Sequence, residues 1–258
     1  MNIVIIGTGN AATVLAKKFV AAGHHIIQVF GRDLHAASKL AYEFDTESTN
    51  YWSVIRKDAD VYIIAVSDDA ITEVARHLQL PGRVVAHTAG SVSKDVLKAI
   101  SSHYGVFYPL QSLRKEMSTL PEIPVFIDAS DEKAKDVLNR LAVSISPEKI
   151  MLANDQDRRK LHIAAVVVSN FVNHLFALAE DYCKKEGLDF QQLLPLIEET
   201  VMRLKTVSPK HAQTGPAIRN DQPTIDQHLQ LLQSHPQLKK IYELMTNSIQ
   251  SSAGSSNN

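Results

Sequence analysis

The sequence predicts an α/β protein: a doubly wound parallel sheet in the N-terminal half, followed by an all-α C-terminal domain. Three observations predict it. A short apolar run at residues 3–6 feeds directly into Gly7-Thr8-Gly9-Asn10-Ala11-Ala12. Strand and helix patterns then alternate as far as residue 152. Beyond residue 153 no strand pattern recurs. Repeated strand–helix alternation builds a parallel sheet, because each parallel strand needs a crossover to return the chain to the same edge.

The elements follow in order. Gly-x-Gly-x-x-Ala is the spacing of a dinucleotide-binding turn. Gly7 permits the tight strand-to-helix turn, Gly9 lets a pyrophosphate approach the backbone, and Ala12 lets the helix pack closely on the strand. A helix runs on to Ala22, with Gly23 as its C-cap. A strand at 26–30 precedes a helix at about 34–44, a weak strand near 46–49 and a helical turn near 53–56. Residues 61–66 form a continuous apolar run, as in a central parallel strand. Ser67-Asp68-Asp69 caps a helix to Leu78, and Pro81-Gly82 turns into a strand at 84–87. Ser91 or Ser93 caps a helix to Ile100, and 106–108 is a sixth strand. Pro121 and Pro124 bound a strand at 125–127, followed by a helix at about 132–142 and a short strand near 149–152.

Residues 154–185 read as one long helix, apolar on nearly all sides in its middle. Such a helix needs covering by other helices or by a second subunit. Polar residues His162, Ser169, Asn170, Asn173 and His174 interrupt the run, which predicts a buried helix rather than a membrane span. Gly187 ends it. A second helix spans 188–205 with Pro195 in its first turns or at a kink. Residues 208–222 read as a polar loop, and helices resume at about 224–233 and 236–249. The domains are therefore expected at 1–152 and 153–250, with a disordered tail at 251–258.

Composition narrows the function. A chain of 258 residues with 45% apolar content can fill two cores. A net charge of −1 offers no basic face to nucleic acid. The single cysteine, Cys183, excludes an internal disulfide and fits a reducing compartment. The chain enters a strand at once, so no targeting segment is expected and the cytoplasm is the expected location.

The cofactor is read at the tip of the second strand. There an acid accepts from the ribose 2′-OH of NAD. Here the tip is Phe30-Gly31-Arg32-Asp33. Arg32 stands where a 2′-phosphate would lie, and guanidinium matches phosphate geometry, so NADP is the expected cofactor. Asp33 has two roles open, pairing with Arg32 or capping the next helix. The expected cofactor contacts are Gly7, Thr8, Gly9, Asn10, Ala11, Gly31, Arg32, Ser67 and His87. His87 has a second role open, a hydrogen-bonded histidine at a strand end. The strand ending in Tyr108-Pro109-Leu110-Gln111-Ser112 brings further polar side chains to the same edge.

Two segments carry candidate chemistry. At about 100° per residue, His162, Ser169 and Asn173 form one polar stripe on the long helix, with Asn170 and His174 further round. His162 there suits a proton donor, and an asparagine suits orientation of a carbonyl. The other reading is a set of polar groups fixing helix register or a dimer seam. In the loop at 208–222, Arg219 suits an anion anchor beside Thr214, Asp221 and the later His228. The other reading there is an interhelical linker with an Arg–Asp pair and a capping Thr224.

GTGNAA, FGRD, AVSDDAI, HTAGS, YPLQS, HIAAVVVSN and TGPAIRND resemble one family. It comprises bacterial Rossmann-like NADP-binding oxidoreductases with a helical C-terminal domain of unassigned function. They are relatives of deazaflavin-dependent NADP reductase, pyrroline-5-carboxylate reductase, ketopantoate reductase and the β-hydroxyacid dehydrogenases. The resemblance implies NADP binding, a helical dimerisation domain and redox chemistry. It also carries a departure. If Asn170 is the asparagine of the β-hydroxyacid dehydrogenases, their catalytic lysine one turn earlier is replaced by Val166. The expected function is hydride transfer to or from a small polar C=O or C=N substrate, anionic in character, with His162, Asn170 and Arg219 as catalytic residues in a homodimer. The alternative is a non-catalytic NADP-binding redox-sensing or scaffolding dimer.

Overall fold

The structure is a computed structural model that describes residues 1–117, 119 and 122–254. Strands and helices alternate in the order β1 (Asn2–Ile6), α1 (Asn10–Ala21), β2 (His25–Phe30), α2 (Leu34–Tyr42), β3 (Glu47–Thr49), β4 (Val61–Ile64), α3 (Ile71–His77), β5 (Val84–His87), β6 (His103–Pro109), β7 (Val125–Ala129), α4 (Glu132–Ile145) and β8 (Ile150–Leu152). The strands form one sheet in the order β3-β2-β1-β4-β5-β6-β7-β8. Its first six positions are the doubly wound arrangement, with the order reversing beside β1.

The central strands are apolar throughout because helices cover both faces. Ile3 and Ile5 of β1 pack with Leu15 and Phe19 of α1 and Leu138 and Leu141 of α4. Val4 and Ile6, pointing the other way, pack with Tyr62, Ile64 and the Ile71–Val74 side of α3. Ile3, Val4, Ile5 and Ile6 are fully buried. Truncating Ile5 to Ala would cost about 2–5 kcal/mol on the scale of core cavities.

The sheet is mixed rather than wholly parallel. β7 pairs antiparallel with β6, Tyr108 opposite Phe126, and β8 then pairs parallel with β7. The physical reason lies in the connection at 110–124. It carries no helix among its described residues, and an antiparallel neighbour needs no crossover. Of the two prolines expected to bound β7, Pro124 immediately precedes it, while Pro121 lies outside the described residues. The expected helices at 68–78 and 91–100 begin or consist of short 3-10 turns, the second capped by Ser93.

The long helix is divided. α5 (Asp155–Ala165) continues through a π segment, Val166–Phe171, into α6 (Val172–Lys185). The chain divides into two compact units at Ser169/Asn170. That boundary lies inside the helix, and α5 packs on the sheet. Leu161 joins the cluster of Val106, Tyr108, Phe126 and Ala153. Arg158 is fully buried; its guanidinium donates to Val92 O and Asp155, and Asp128 lies 3.9 Å away.

The C-terminal unit contains α6, α7 (Leu194–Arg203), the single turn α8 (Pro209–Ala212), α9 (Gln222–Leu231) and α10 (Pro236–Gly254). Pro195 sits in the first turn of α7, where its missing N–H costs nothing. Cys183, Ile225 and Leu232 are buried, His235 bonds Glu186 at 2.7 Å, and His228 bonds Tyr242 at 2.8 Å. Residues 251–254, expected in a disordered tail, are the last turn of α10; 255–258 lie outside the described residues.

The long helix is expected to be covered by other helices or by a second subunit. The run Asp155–Lys185 is long and apolar enough by length and composition to cross a membrane. Its apolar middle is not buried in this chain. Ile163 is 66% exposed, Val168 71% and Phe171 59%.

Candidate active site

The turn after β1 is built by steric exclusion. Gly7 has φ +127°, and a Cβ there would lie 2.1 Å from the Ala65 carbonyl oxygen of the β4 end. Only glycine fits, and its N–H donates to Phe30 O at 2.8 Å, tying β1 to β2. A Cβ on Gly9 would meet nothing within 4 Å. Gly9 is also the N-cap of α1 and has no side-chain cap. The first-turn N–H groups of α1 are therefore free toward the open side, which is the arrangement that receives phosphate.

That open side is a cleft of about 540 Å³. Thr8, Asn10, Ala11, Gly31, Arg32 and Ser67 all line it with the two glycines. Gly31 is held to glycine by Thr8, whose Cγ2 would lie 2.7 Å from an added Cβ. The Asp33 carboxylate accepts from the N–H groups of His35 and Ala36, so capping α2 is its role. The Arg32 guanidinium is 73% exposed, 3.6 Å from Glu73. Asp33 is thus committed to a helix cap, and the Arg32 guanidinium stands at the β2 tip with Glu73 of α3 as its nearest carboxylate. Trp52 forms another wall, stacked on Phe30 with ring centroids 4.0 Å apart. Ser67 hydrogen bonds Asp69, the main cause of that carboxyl's lowered pKa, rather than capping the backbone.

His87 has a different role from the expected cofactor contact. It is fully buried, Nδ1 accepting from the Ala89 N–H at 3.2 Å and Nε2 donating to Ser93 O at 3.3 Å. Burial pushes its pKa down to about 4, opposed by the Ser93 bond. Both nitrogens are spent on shaping the loop after β5, so none faces a ligand.

That loop brings the other polar groups together. His162 on α5 places Nδ1 3.0 Å from the Tyr108 hydroxyl at the end of β6. Gly90 makes room for the pair. Burial raises the Tyr108 pKa, Asp68 adds to the rise, and Arg158 opposes it. Tyr108 is thus a protonated phenol at neutral pH. Ser91 Oγ bonds Asp68, and Arg159 Nε donates to Ser91 O at 3.2 Å. Ser169 Oγ bonds Ser112 Oγ at 2.7 Å. His162 therefore meets the end of β6, and Ser169 meets the connection that follows it.

The remaining candidates lie in the C-terminal unit. Asn170, Asn173 and His174 are exposed. Arg219 is 63% exposed and 3.9 Å from Asp221, whose carboxylate caps α9 through Thr224. His228 is engaged with Tyr242. Sequence reasoning missed three features. Tyr108 was placed at the right edge without a role, Gly90 had no visible reason, and Asn10 turns its carboxamide oxygen to the Lys115 N–H at 3.2 Å.

Residues 2–90 match the family described as NADP oxidoreductase coenzyme F420-dependent, and residues 123–249 match a domain of unknown function, DUF2520. A Bacteroides fragilis protein described as a candidate NADP oxidoreductase is 38% identical, with a TM-score of 0.90 over 97% of this chain and 98% of that one. A pyrroline-5-carboxylate reductase from Streptococcus pyogenes shares the fold at 16% identity, TM-score 0.63, over 97% and 98%. An imine reductase from Myxococcus stipitatus in complex with NADP+ shares it at 14%, TM-score 0.66, over 99% and 95%. No curated protein sequence matches. The glycine cradle, the free helix N-terminus and the guanidinium at the β2 tip fit the cofactor that the family name gives, and the chain belongs to the NADP oxidoreductases that join this N-terminal domain to a DUF2520 domain.

Proposed function

We propose that the protein transfers hydride between NADP(H) and the C=O or C=N carbon of a small anionic molecule. The observation that carries this reading is the Tyr108–His162 pair at the end of β6, on the sheet edge that also carries the dinucleotide turn. NADPH supplies the hydride when bound. Thr8, Gly9, Asn10, Ala11, Gly31, Arg32 and Ser67 would hold it. The pair holds a proton between Tyr108 Oη and His162 Nδ1 and gives it to the developing alkoxide or amine. This supplies the proton that a lysine at position 166 would give, where the chain has valine. Asn170 orients the polar group, and Arg219, whose neighbour Asp221 is committed to a cap, anchors the anion.

The protein works as a homodimer in the cytoplasm, without nucleic-acid or membrane partners. The exposed Ile163, Val167, Val168 and Phe171 support a second copy as the cover of the long helix, since a monomer seldom leaves so large an apolar patch in water. A panel of small keto acids, aldehydes and imines, followed by loss of NADPH absorbance, tests the reaction. Turnover of a carboxylate-bearing member is expected. Tight NADPH binding with no turnover across the panel would favour a non-catalytic NADP-binding protein instead.

A further inference from the structure

The cleft is short of positive charge. NADP brings a pyrophosphate and a 2′-phosphate, the latter alone carrying about 1.5–2 negative charges near neutral pH. Among the residues lining the cleft there is one cation, Arg32, and there are two acids, Asp33 and Glu73. Arg32 stands at the tip of β2, so it answers the 2′-phosphate and leaves the pyrophosphate to the dipole of α1 alone.

The connection between β6 and β7 carries two cations, Arg114 and Lys115. It is held at two points. Ser112 Oγ bonds Ser169 Oγ at 2.7 Å, and the Lys115 backbone N–H donates to Asn10 Oδ1 at 3.2 Å. Asn10 is the first residue of α1, directly after Gly9. The second bond therefore sets residues 114 and 115 beside the helix N-terminus that receives the pyrophosphate. Lys115 is exposed and has no carboxylate within 4 Å among the described residues. Arg114 is 76% exposed and only loosely paired, 3.9 Å from Glu116.

We propose that Lys115, seconded by Arg114, is a pyrophosphate-binding residue of the NADP site, and that the Asn10 carboxamide positions it there. The proposal rests on the cofactor and not on the substrate reading, so a binding measurement tests it alone. Calorimetric titrations with NADP+ and with adenosine 2′-monophosphate, which lacks the pyrophosphate, separate the two phosphate sites. Lys115→Ala should weaken NADP+ about tenfold, the scale of one charge-assisted contact, and leave the monophosphate unchanged. Arg114→Ala should weaken NADP+ less, and Lys115→Arg should keep wild-type affinity. Asn10→Ala should weaken NADP+ in the wild type but add little to the loss already caused by Lys115→Ala, whereas an additive loss would remove the positioning role. Arg32→Ala should weaken both ligands. Thermal melts of Lys115→Ala and Lys115→Gln confirm that the fold is intact. Wild-type NADP+ affinity in Lys115→Ala, or an equal loss for the monophosphate, would overturn the assignment.

Discussion

Gly90 and His162 are matched in shape. A Cβ at position 90 would lie 2.8 Å from His162 Nδ1 and 2.9 Å from Tyr108 Cζ. The hydrogen bond between the tyrosine and the histidine exists because the loop after β5 carries no side chain there.

Gly90→Ala should therefore part the pair. The overpacking should cost about 1–3 kcal/mol of stability, visible as a lowered urea midpoint. NADPH affinity should hold, because Gly90 is not among the residues lining the dinucleotide cleft. Turnover should fall. A variant with wild-type turnover would show that the pair is not needed for the chemistry.

Tyr108→Phe and His162→Ala remove the proton path in two ways. Each should lower kcat by about a hundredfold, the usual scale of acid–base catalysis, with KM nearly unchanged. Because burial raises the Tyr108 pKa, any tyrosine ionisation in the kcat–pH profile should lie above the ordinary tyrosine range. Steady-state kinetics of both variants checks this, and a rise in KM alone would assign the pair to substrate binding.

Arg32→Ala should weaken NADPH about tenfold and leave NADH unaffected. The lower end of the range for a charge-assisted contact applies, because Arg32 is 73% exposed and already faces Glu73. Glu73→Gln should tighten NADPH modestly by freeing the guanidinium. Paired titrations of the two cofactors decide the matter, and equal losses for both would remove Arg32 from the 2′-phosphate site.

His87 should make stability depend on pH in a defined window. Its folded pKa is about 4, below the ordinary 6.5, so the unfolded chain binds the extra proton first as pH falls. Stability from the neutral ring is complete above pH 6.5 and drains away between 6.5 and 4. The upper bound is about 3 kcal/mol. The geometry agrees, since a proton on Nδ1 would face the Ala89 N–H that now donates to it. The Asp131 carboxyl, lowered chiefly by the Ala134 N–H and also by His103, loses its contribution only below the ordinary carboxylate range. Urea midpoints from pH 7.5 to 5 should fall steeply in the wild type and less in His87→Asn.

Light scattering at micromolar concentration should give twice the 28.5 kDa chain mass. Val168→Lys with Phe171→Lys should give the chain mass with the fold kept. A wild-type monomer at high concentration would leave the apolar helix face without the proposed cover.

The reach of the sequence differs between elements for physical reasons. β1, β4 and β5 were legible because a strand covered on both faces must be apolar throughout, and Gly7 because no other residue fits under Ala65. The direction of β7 leaves no periodicity to read; the one signal is the want of a helical pattern at 110–124. The π segment at Val166–Phe171 breaks the 100° count on which the stripe rested, so Asn173 and Ser169 are not in register as reckoned. Tyr108 and His162 are 54 positions apart, and Asn10 and Lys115 are 105 apart. Such pairs depend on the sheet order, which no local pattern carries.

The wall that Trp52 gives to the cleft has a practical consequence. It is the only tryptophan in the chain. Indole emission overlaps the absorption of reduced nicotinamide, so light absorbed at residue 52 should pass to NADPH bound in the cleft. Oxidised cofactor, lacking that absorption, can act on the indole only by contact with the ring. Trp52 emission should therefore report both occupancy and redox state of the cleft without a label.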